Sequence, residues 1–426
     1  MQILVLSQLW DPEEGISQRR ANKLTQTLLE AGHDVTVVAS PPHYPGGKLL
    51  SSAPVHQPHA FEQVSAHYRI YRSAFREHDF SLPSRIADQA VFLASALKIA
   101  LGLCRKHHYD LLISTAPPIP NLFVQRLLAD LFKIPTLIDL RDAWPDLLDY
   151  LGEGNTPTTV AAKLRAKVMT ALGEITKVAM GWCIKGAGAI TVTSAEYGNQ
   201  LASRTKAKVL VVYNTLDLPT QVLQHTNLPH DELHVLYAGN IGRAQGLGTA
   251  LDALRVLQHQ GEHVRLRLIG GGAHLPTLRR RAKQANLPVE FVRRISREEL
   301  GEHFEWAHTA LVTLRDWKPL RTTIPSKLFD GLHRGIHLTV SADGEPAAIV
   351  TAASAGAAAP ANDPQALAAL WRDLLHHPHR LQVDGAGRKW IAEHASPAAQ
   401  ARSYLRAVDR AVNNNTYLLK RWRKRK

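Results

Sequence analysis

"LHVLYAGNIGRAQGLGTALDAL" (233–254) runs in one short span from an unbroken apolar run, through a loop of small residues, into a segment whose leucines return at helical spacing. A short continuous apolar run suits a strand buried on both faces, and Leu247, Leu251 and Leu254 keep one face of a helix. Strand, tight loop and helix in that order form half of a crossover unit, whose next strand lies parallel to the first. "VRLRLIGGG" (264–272) supplies that strand, and the rhythm continues through "VEFV" (289–292), "TALVTL" (309–314) and "IHLTV" (336–340), with helices between them.

The same alternation fills the first half of the chain. "ILVL" (3–6) leads to a helix with Ala21, Leu24 and Leu28 on one face, and "GHDVTVVA" (32–39) turns into a second strand. "DLLIST" (110–115), "PTLIDL" (135–140), "AITVTS" (189–194) and "KVLVVY" (208–213) complete the set. The class is α/β, as two doubly wound parallel sheets in series. At 426 residues the chain is too long for one core. Periodicity lapses between 214 and 232, so the expected units are 1–215 and 216–396, followed by a helix at 397–412 and a basic tail at 413–426.

Composition narrows the function classes. With 45% hydrophobic and 21% charged residues the chain is globular. Two cysteines, Cys104 and Cys183, supply neither a disulfide framework nor metal-ligand spacing. The opening "MQILVLSQLWDPEEG" reads as a first buried strand, because acidic residues break its apolar run before a signal core is complete. "VFLASALKIALGLC" (91–104) falls short of a membrane span and carries Lys98. A cytoplasmic location is expected. The net charge of +14, part of it in "LLKRWRKRK" (418–426), points to anionic partners. Nucleic acid is disfavoured, since the chain has no nucleic-acid motif and its charge is not interleaved with aromatics beyond Trp422. An anionic membrane surface, met by the tail, is the expected macroscopic partner, peripherally at the inner face of the plasma membrane.

In open parallel sheets ligands bind beyond the carboxyl ends of the strands, so the residues just after strands carry the chemistry. Gly15 follows the first strand and is either a point of close backbone approach or a plain loop glycine. Asp142, in "RDAWPD" (141–146), is suited either to order a substrate hydroxyl or to cap the next helix. Gly239, Asn240 and Gly242 form a small-residue loop between strand and helix, a nest of phosphate size that is neither the dinucleotide fingerprint nor a P-loop. "IGGGAH" (269–274) is a similar turn that reads as tight packing. In "IPSKLFDGLHRGIHLTVSADGE" (324–345) a helix begins beside Pro325, so Ser326 and Lys327 stand at its positive end, where a hydroxyl, an ammonium and free N–H groups would meet a phosphate. Asp330, one turn on, suits ribose hydroxyls, and Glu345 ends the Asp-Gly-Glu that follows the next strand. The plain alternative is an exposed ion pair between Lys327 and Asp330.

At this point the chain resembles the retaining glycosyltransferases of the GT-B fold, in particular family four and its bacterial surface-polysaccharide members, those of O-antigen, colanic acid and capsule. Residues 6–47, ending in "PHYPGG", then "DLRDAWPD", "AITVTS", "VVYNTLD", "YAGNIGRAQGL" and "IPSKLFDGLHRG" carry the likeness in order. The resemblance implies two Rossmann-like domains facing across a cleft, the nucleotide-sugar donor held mainly by the second and the acceptor by the first, and a last helix returning to the first. It implies transfer of a sugar from a nucleoside diphosphate, with retention, to an acceptor that is expected to be a lipid-linked saccharide in cell-surface polysaccharide assembly. No cofactor beyond the donor substrate is expected. No metal is expected either, since no Asp-x-Asp motif occurs. Asp142 and Lys327 take the catalytic roles, and Gly15, Gly239, Asn240, Gly242, Ser326, Lys327, Asp330 and Glu345 the donor contacts. The chain departs from the family pattern at Thr322 and Asp330, where two glutamates are common, and at Asn240 and Gln245, where a cationic clamp is common. Those departures keep two alternatives in view, an epimerase or hydrolase of sugar nucleotides and a catalytically silent scaffold.

Overall fold

The computed structural model describes residues 1–141 except 14, 45 and 80, residues 160–214 and 222–223, and residues 231–423 except 297. They divide into two units, Met1–Leu216 with Gln400–Lys426, and Asp217–Ala399.

Unit 1 runs β1 (Gln2–Leu6), α1 (Ile16–Glu30), β2 (Asp34–Ala39), β3 (Phe61–Ser65), β4 (Tyr68–Arg72), α2 (Leu82–Lys106), β5 (Leu111–Ala116), α3 (Pro120–Phe132), β6 (Thr136–Leu140), α4 (Val160–Lys185), β7 (Ala189–Val192), α5 (Ala195–Ala202) and β8 (Lys208–Val211). Its sheet has the order β3-β4-β2-β1-β5-β6-β7-β8, parallel throughout except that β3 runs antiparallel to β4. β1 shows why a run such as "ILVL" has no polar gaps. Ile3 and Val5 pack on one face with Leu24 and Leu28 of α1, while Leu4 and Leu6 pack on the other with Phe92 of α2 and Val124 of α3.

α2 differs from expectation. By length and composition it could cross a membrane, because the apolar character extends over Pro83–Lys106 and not just over 91–104. Phe92, Ala96, Ala100 and Leu103 are nevertheless buried in unit 1, as a core helix requires. The β3–β4 hairpin was not expected either. Most of its residues are exposed or half-buried, so it lacks the apolar run by which the other strands are read.

Unit 2 runs β9 (Leu233–Ala238), α6 (Leu247–His259), β10 (Val264–Ile269), α7 (Leu275–Gln284), β11 (Val289–Val292), α8 (Leu300–Trp306), β12 (Thr309–Thr313), α9 (Ser326–Arg334), β13 (His337–Ser341), α10 (Glu345–Ala352), β14 (Gly356–Ala359), α11 (Pro364–His376) and α12 (Ala386–His394). Six parallel strands take the order β11-β10-β9-β12-β13-β14. β14, "GAAA", is an addition to the expected strands; alanine and glycine have weak strand preference, and the segment is held by pairing with β13.

α13 (Pro397–Arg423) follows. Tyr404, Ala407, Val408 and Ala411 recur at helical spacing and are buried against Ile3, Val5 and Leu28 of unit 1. The helix continues to Arg423, so the backbone of the basic segment is helical well beyond the expected end at 412. Residues 424–426 lie outside the described residues.

Candidate functional site

The chain leaves β9 for β10 on one side and returns to β12 on the other, which makes the carboxyl ends of β9 and β12 the switch point of the second sheet. Three loops meet there, and glycines let them meet closely. A Cβ on Gly270, whose φ is +138°, would stand 2.0 Å from the Gly239 carbonyl oxygen. The 270–272 turn is therefore a packing device, as its sequence suggests. The loop after β12 joins the group, since the Arg315 N–H donates to the Ala244 carbonyl at 2.9 Å.

Lys327 sits in the first turn of α9, whose start carries no side-chain cap. The residue is half-buried, but its Nζ is closed off from solvent and has no hydrogen-bond partner among the described residues. The ammonium lies 3.5 Å from the centre of the Tyr237 ring, a cation–π contact. It also fills the space that a side chain at residue 239 would take, because a Cβ there would be 3.1 Å from Nζ. Burial pulls the pKa down to about 7, and the charge of Asp330 pulls the other way. The plain alternative of an exposed ion pair does not describe this lysine. Its ammonium points under the β9 loop, and Asp330 acts on it through charge. A buried ammonium without a partner is costly, and an anion delivered to the spot relieves that cost.

The remaining residues expected to contact the donor fall as follows. Gly239, with φ +143°, and Asn240 are exposed at the end of β9. Gly242 precedes a 3-10 turn, Arg243–Gln245, and approaches the Asn240 amide. Ser326 is the first residue of α9, and Glu345 is the first of α10, where it is buried at the same carboxyl edge. Gly15 caps α1 in unit 1 with extended backbone that any residue adopts. Asp142 lies outside the described residues. Thr322 is buried and donates to the Pro319 carbonyl at 3.0 Å, so a helix turn employs the position where the family commonly has a glutamate.

Two contributors escaped the sequence. Tyr237 floors the ammonium and fastens the loop, since its hydroxyl donates to the Asn240 carbonyl at 2.5 Å and lies 3.4 Å from the Gln245 Oε1. It hides inside an apolar strand, and only its position just before Gly239 hints at a role. His274, at the start of α7, has a buried Nδ1 without a partner among the described residues. Burial first, then the charges of Arg315, Arg243 and Arg281, lower its pKa. These three arginines come from three segments, so the electropositive character of this edge is a product of folding.

Both halves of the chain match known families. Residues 17–215 match "Glycosyl transferase 4-like domain" and residues 221–390 match "Glycosyl transferases group 1". No curated protein sequence matches the chain at a significant level. Among solved structures, sucrose-phosphate synthase from Thermosynechococcus elongatus is similar with a TM-score of 0.68 at 19% identity, over 94% of this chain and 97% of that one. The lipopolysaccharide outer core galactosyltransferase WaaB, in its apo form, gives 0.64 at 12% identity, over 96% and 99%. HepE of Anabaena in complex with UDP-glucose gives 0.61 at 12% identity, over 96% and 99%. At such identities the likeness speaks to the fold, which is GT-B.

Proposed function

We propose, for a chain that belongs to the GT-B glycosyltransferases of the family-four type, that unit 2 binds a nucleoside-diphosphate sugar through Lys327 and the first turn of α9. The observation that carries this reading is the buried ammonium of Lys327, without a hydrogen-bond partner among the described residues, between Tyr237 and Gly239. The diphosphate meets that charge, the Ser326 hydroxyl and the helix N-terminus together. Asp330 takes the ribose hydroxyls. HepE is described with UDP and with UDP-glucose, which supports a donor of that chemical class here.

In the reaction the bond between the anomeric carbon and the diphosphate oxygen breaks, and the acceptor hydroxyl oxygen bonds to that carbon. The hydroxyl proton passes to the leaving phosphate, so no separate general base is required. Charge grows on the leaving diphosphate, and Lys327, the helix dipole and the loop at Gly239 and Gly242 stabilise it electrostatically. Transfer proceeds with retention and needs neither a resident cofactor nor a metal at the diphosphate. Asp142 orders a substrate hydroxyl. The acceptor is a lipid-linked saccharide of cell-surface polysaccharide assembly, met at the cytoplasmic face of the membrane, where the basic end of α13 touches anionic lipid.

Calorimetric titration with UDP, GDP and ADP tests the donor reading. One of them binds the wild type, and Lys327→Ala lowers that affinity roughly 10- to 150-fold, the equivalent of one charge-assisted contact of about 1.5–3 kcal/mol. Equal binding by both proteins overturns the assignment of the site. Absence of binding by any nucleotide favours the silent-scaffold alternative, for which the buried Thr322 in place of a carboxylate is the supporting observation.

A further inference from the structure

A second set of polar side chains converges in unit 1. His43 follows β2, His78 lies between β4 and α2, and Asp88 belongs to α2. One possible ligand atom from each lies within 4.8 Å of the others. His43 and Asp88 are buried and His78 is half-buried.

Both imidazoles are oriented by the backbone. His43 Nδ1 is 2.7 Å from the Pro41 carbonyl oxygen, and His78 Nδ1 is 3.0 Å from that of Asp79. A carbonyl only accepts, so each Nδ1 carries the proton, and each Nε2 presents a lone pair. Asp88 is held as well, its two oxygens accepting from the Gln8 side-chain amide at 2.8 Å and the Arg76 N–H at 3.3 Å. Behind His43 stands Glu13, buried, with one oxygen 3.6 Å from His43 Nδ1 and accepting the N–H groups of His43 and Tyr44. Its other oxygen accepts from Gln18. The ring of His43 also packs on Phe75, with centroids 4.8 Å apart. A carbonyl that accepts from the far nitrogen of a histidine and fixes its tautomer is an arrangement found around metal-bound imidazoles, and the Glu13 carboxylate stands beside it.

We propose that His43, His78 and Asp88 form a site for one divalent transition-metal ion of the zinc class, bound through the two Nε2 atoms and a carboxylate oxygen. Two imidazoles and one carboxylate are a ligand set of that class, with a fourth position left for water. Tetrahedral bonds of about 2.0–2.1 Å put ligand atoms roughly 3.3 Å apart. The ligand atoms stand within 4.8 Å of one another, so binding requires the side chains to close by rotation to that value. Bound metal would tie the loop after β2, the segment before α2 and α2 itself into one rigid edge of the first sheet. The proposal is independent of the donor reading, since every residue in it belongs to unit 1.

The chain has 22 histidines, so a test must separate this site from scattered surface binding. The full chain, stripped with chelator, is titrated with Co2+ for its visible d–d bands and with Zn2+ in competition with a chromogenic chelator. One equivalent should bind with a tetrahedral Co2+ spectrum, and Zn2+ should raise the melting temperature. His78→Ala should abolish both effects while melting as the wild type does without metal, and Asp88→Asn should abolish them as well but melt lower, because its amide cannot accept at both positions. Glu13→Gln, which keeps all three ligands, should weaken binding by about 10- to 100-fold. Wild type and His78→Ala binding alike, or a wild type with no stoichiometric ion, overturns the proposal.

Discussion

If the lysine at the start of α9 meets the diphosphate as proposed, nucleotide binding should depend on pH in a way that an exposed lysine would not produce. Without ligand its pKa is drawn down to about 7 by burial. A bound diphosphate favours the ammonium and should raise the pKa again toward the ordinary lysine range. Binding above pH 7 therefore takes up a proton. Each pH unit beyond the free pKa then costs about 1.4 kcal/mol of affinity, or tenfold. With a free pKa of about 7, the expected fall between pH 7 and pH 9 is roughly 50-fold. The nucleotide's own phosphates do not distort this, because their last ionisation lies near pH 6 and is complete in that range.

Titration calorimetry in buffers of different ionisation enthalpy reads both the affinity and the proton uptake, which should rise from about one half toward one between pH 7 and 9. Lys327→Met should lose the pH dependence together with the affinity. The free protein offers a second reading of the same burial. Between pH 7 and the ordinary lysine value the unfolded chain holds the proton more tightly than the native one, so stability rises with pH across that window. Lys327→Met removes the cost of a buried charge and should melt no lower than the wild type at pH 7. A flat affinity from pH 7 to 9 in the wild type refutes the reasoning, because it leaves no buried lysine to recharge.

Two further expectations concern unit 1. Asp139 is buried in a bidentate pair with Arg20, at 2.8 and 3.0 Å, and also accepts from Thr191 at 2.7 Å. Burial alone would raise its pKa, but Arg20 holds it below the usual value, so this stability is present above the ordinary carboxylate range and is lost as pH falls through the depressed pKa. Asp139→Asn leaves a buried guanidinium uncompensated and should cost about 3–5 kcal/mol in chemical denaturation, whereas a change below 1 kcal/mol contradicts the pairing. The basic end of α13 should bring the full chain down with anionic vesicles more than a chain ending at Tyr417; equal co-sedimentation removes the membrane role, since each basic residue at such a surface contributes about 1 kcal/mol.

The order of strands and helices was legible because each is written locally, as an apolar run or a helical stripe that requires no distant partner. The first turn of α9 was legible for the same reason: Pro325, Ser326 and Lys327 are adjacent, and a helix start has a known polarity. The departures mark where local signals end. β14 has no strand composition and exists through β13, and in the β3–β4 hairpin only Ile70 and Arg72 are buried, too few to make an apolar run that advertises it. The state of Lys327 could not be read from its neighbours in sequence, because the ring beneath it is on β9 and the space it fills is left by Gly239. His43, His78 and Asp88 stand on three segments, and Arg20 and Asp139 are 119 residues apart. Residue types and their periods determine which elements form. Desolvation and charge depend on which elements are brought side by side, and these turn an ordinary lysine into one poised near pH 7 and set histidines and an aspartate around one point.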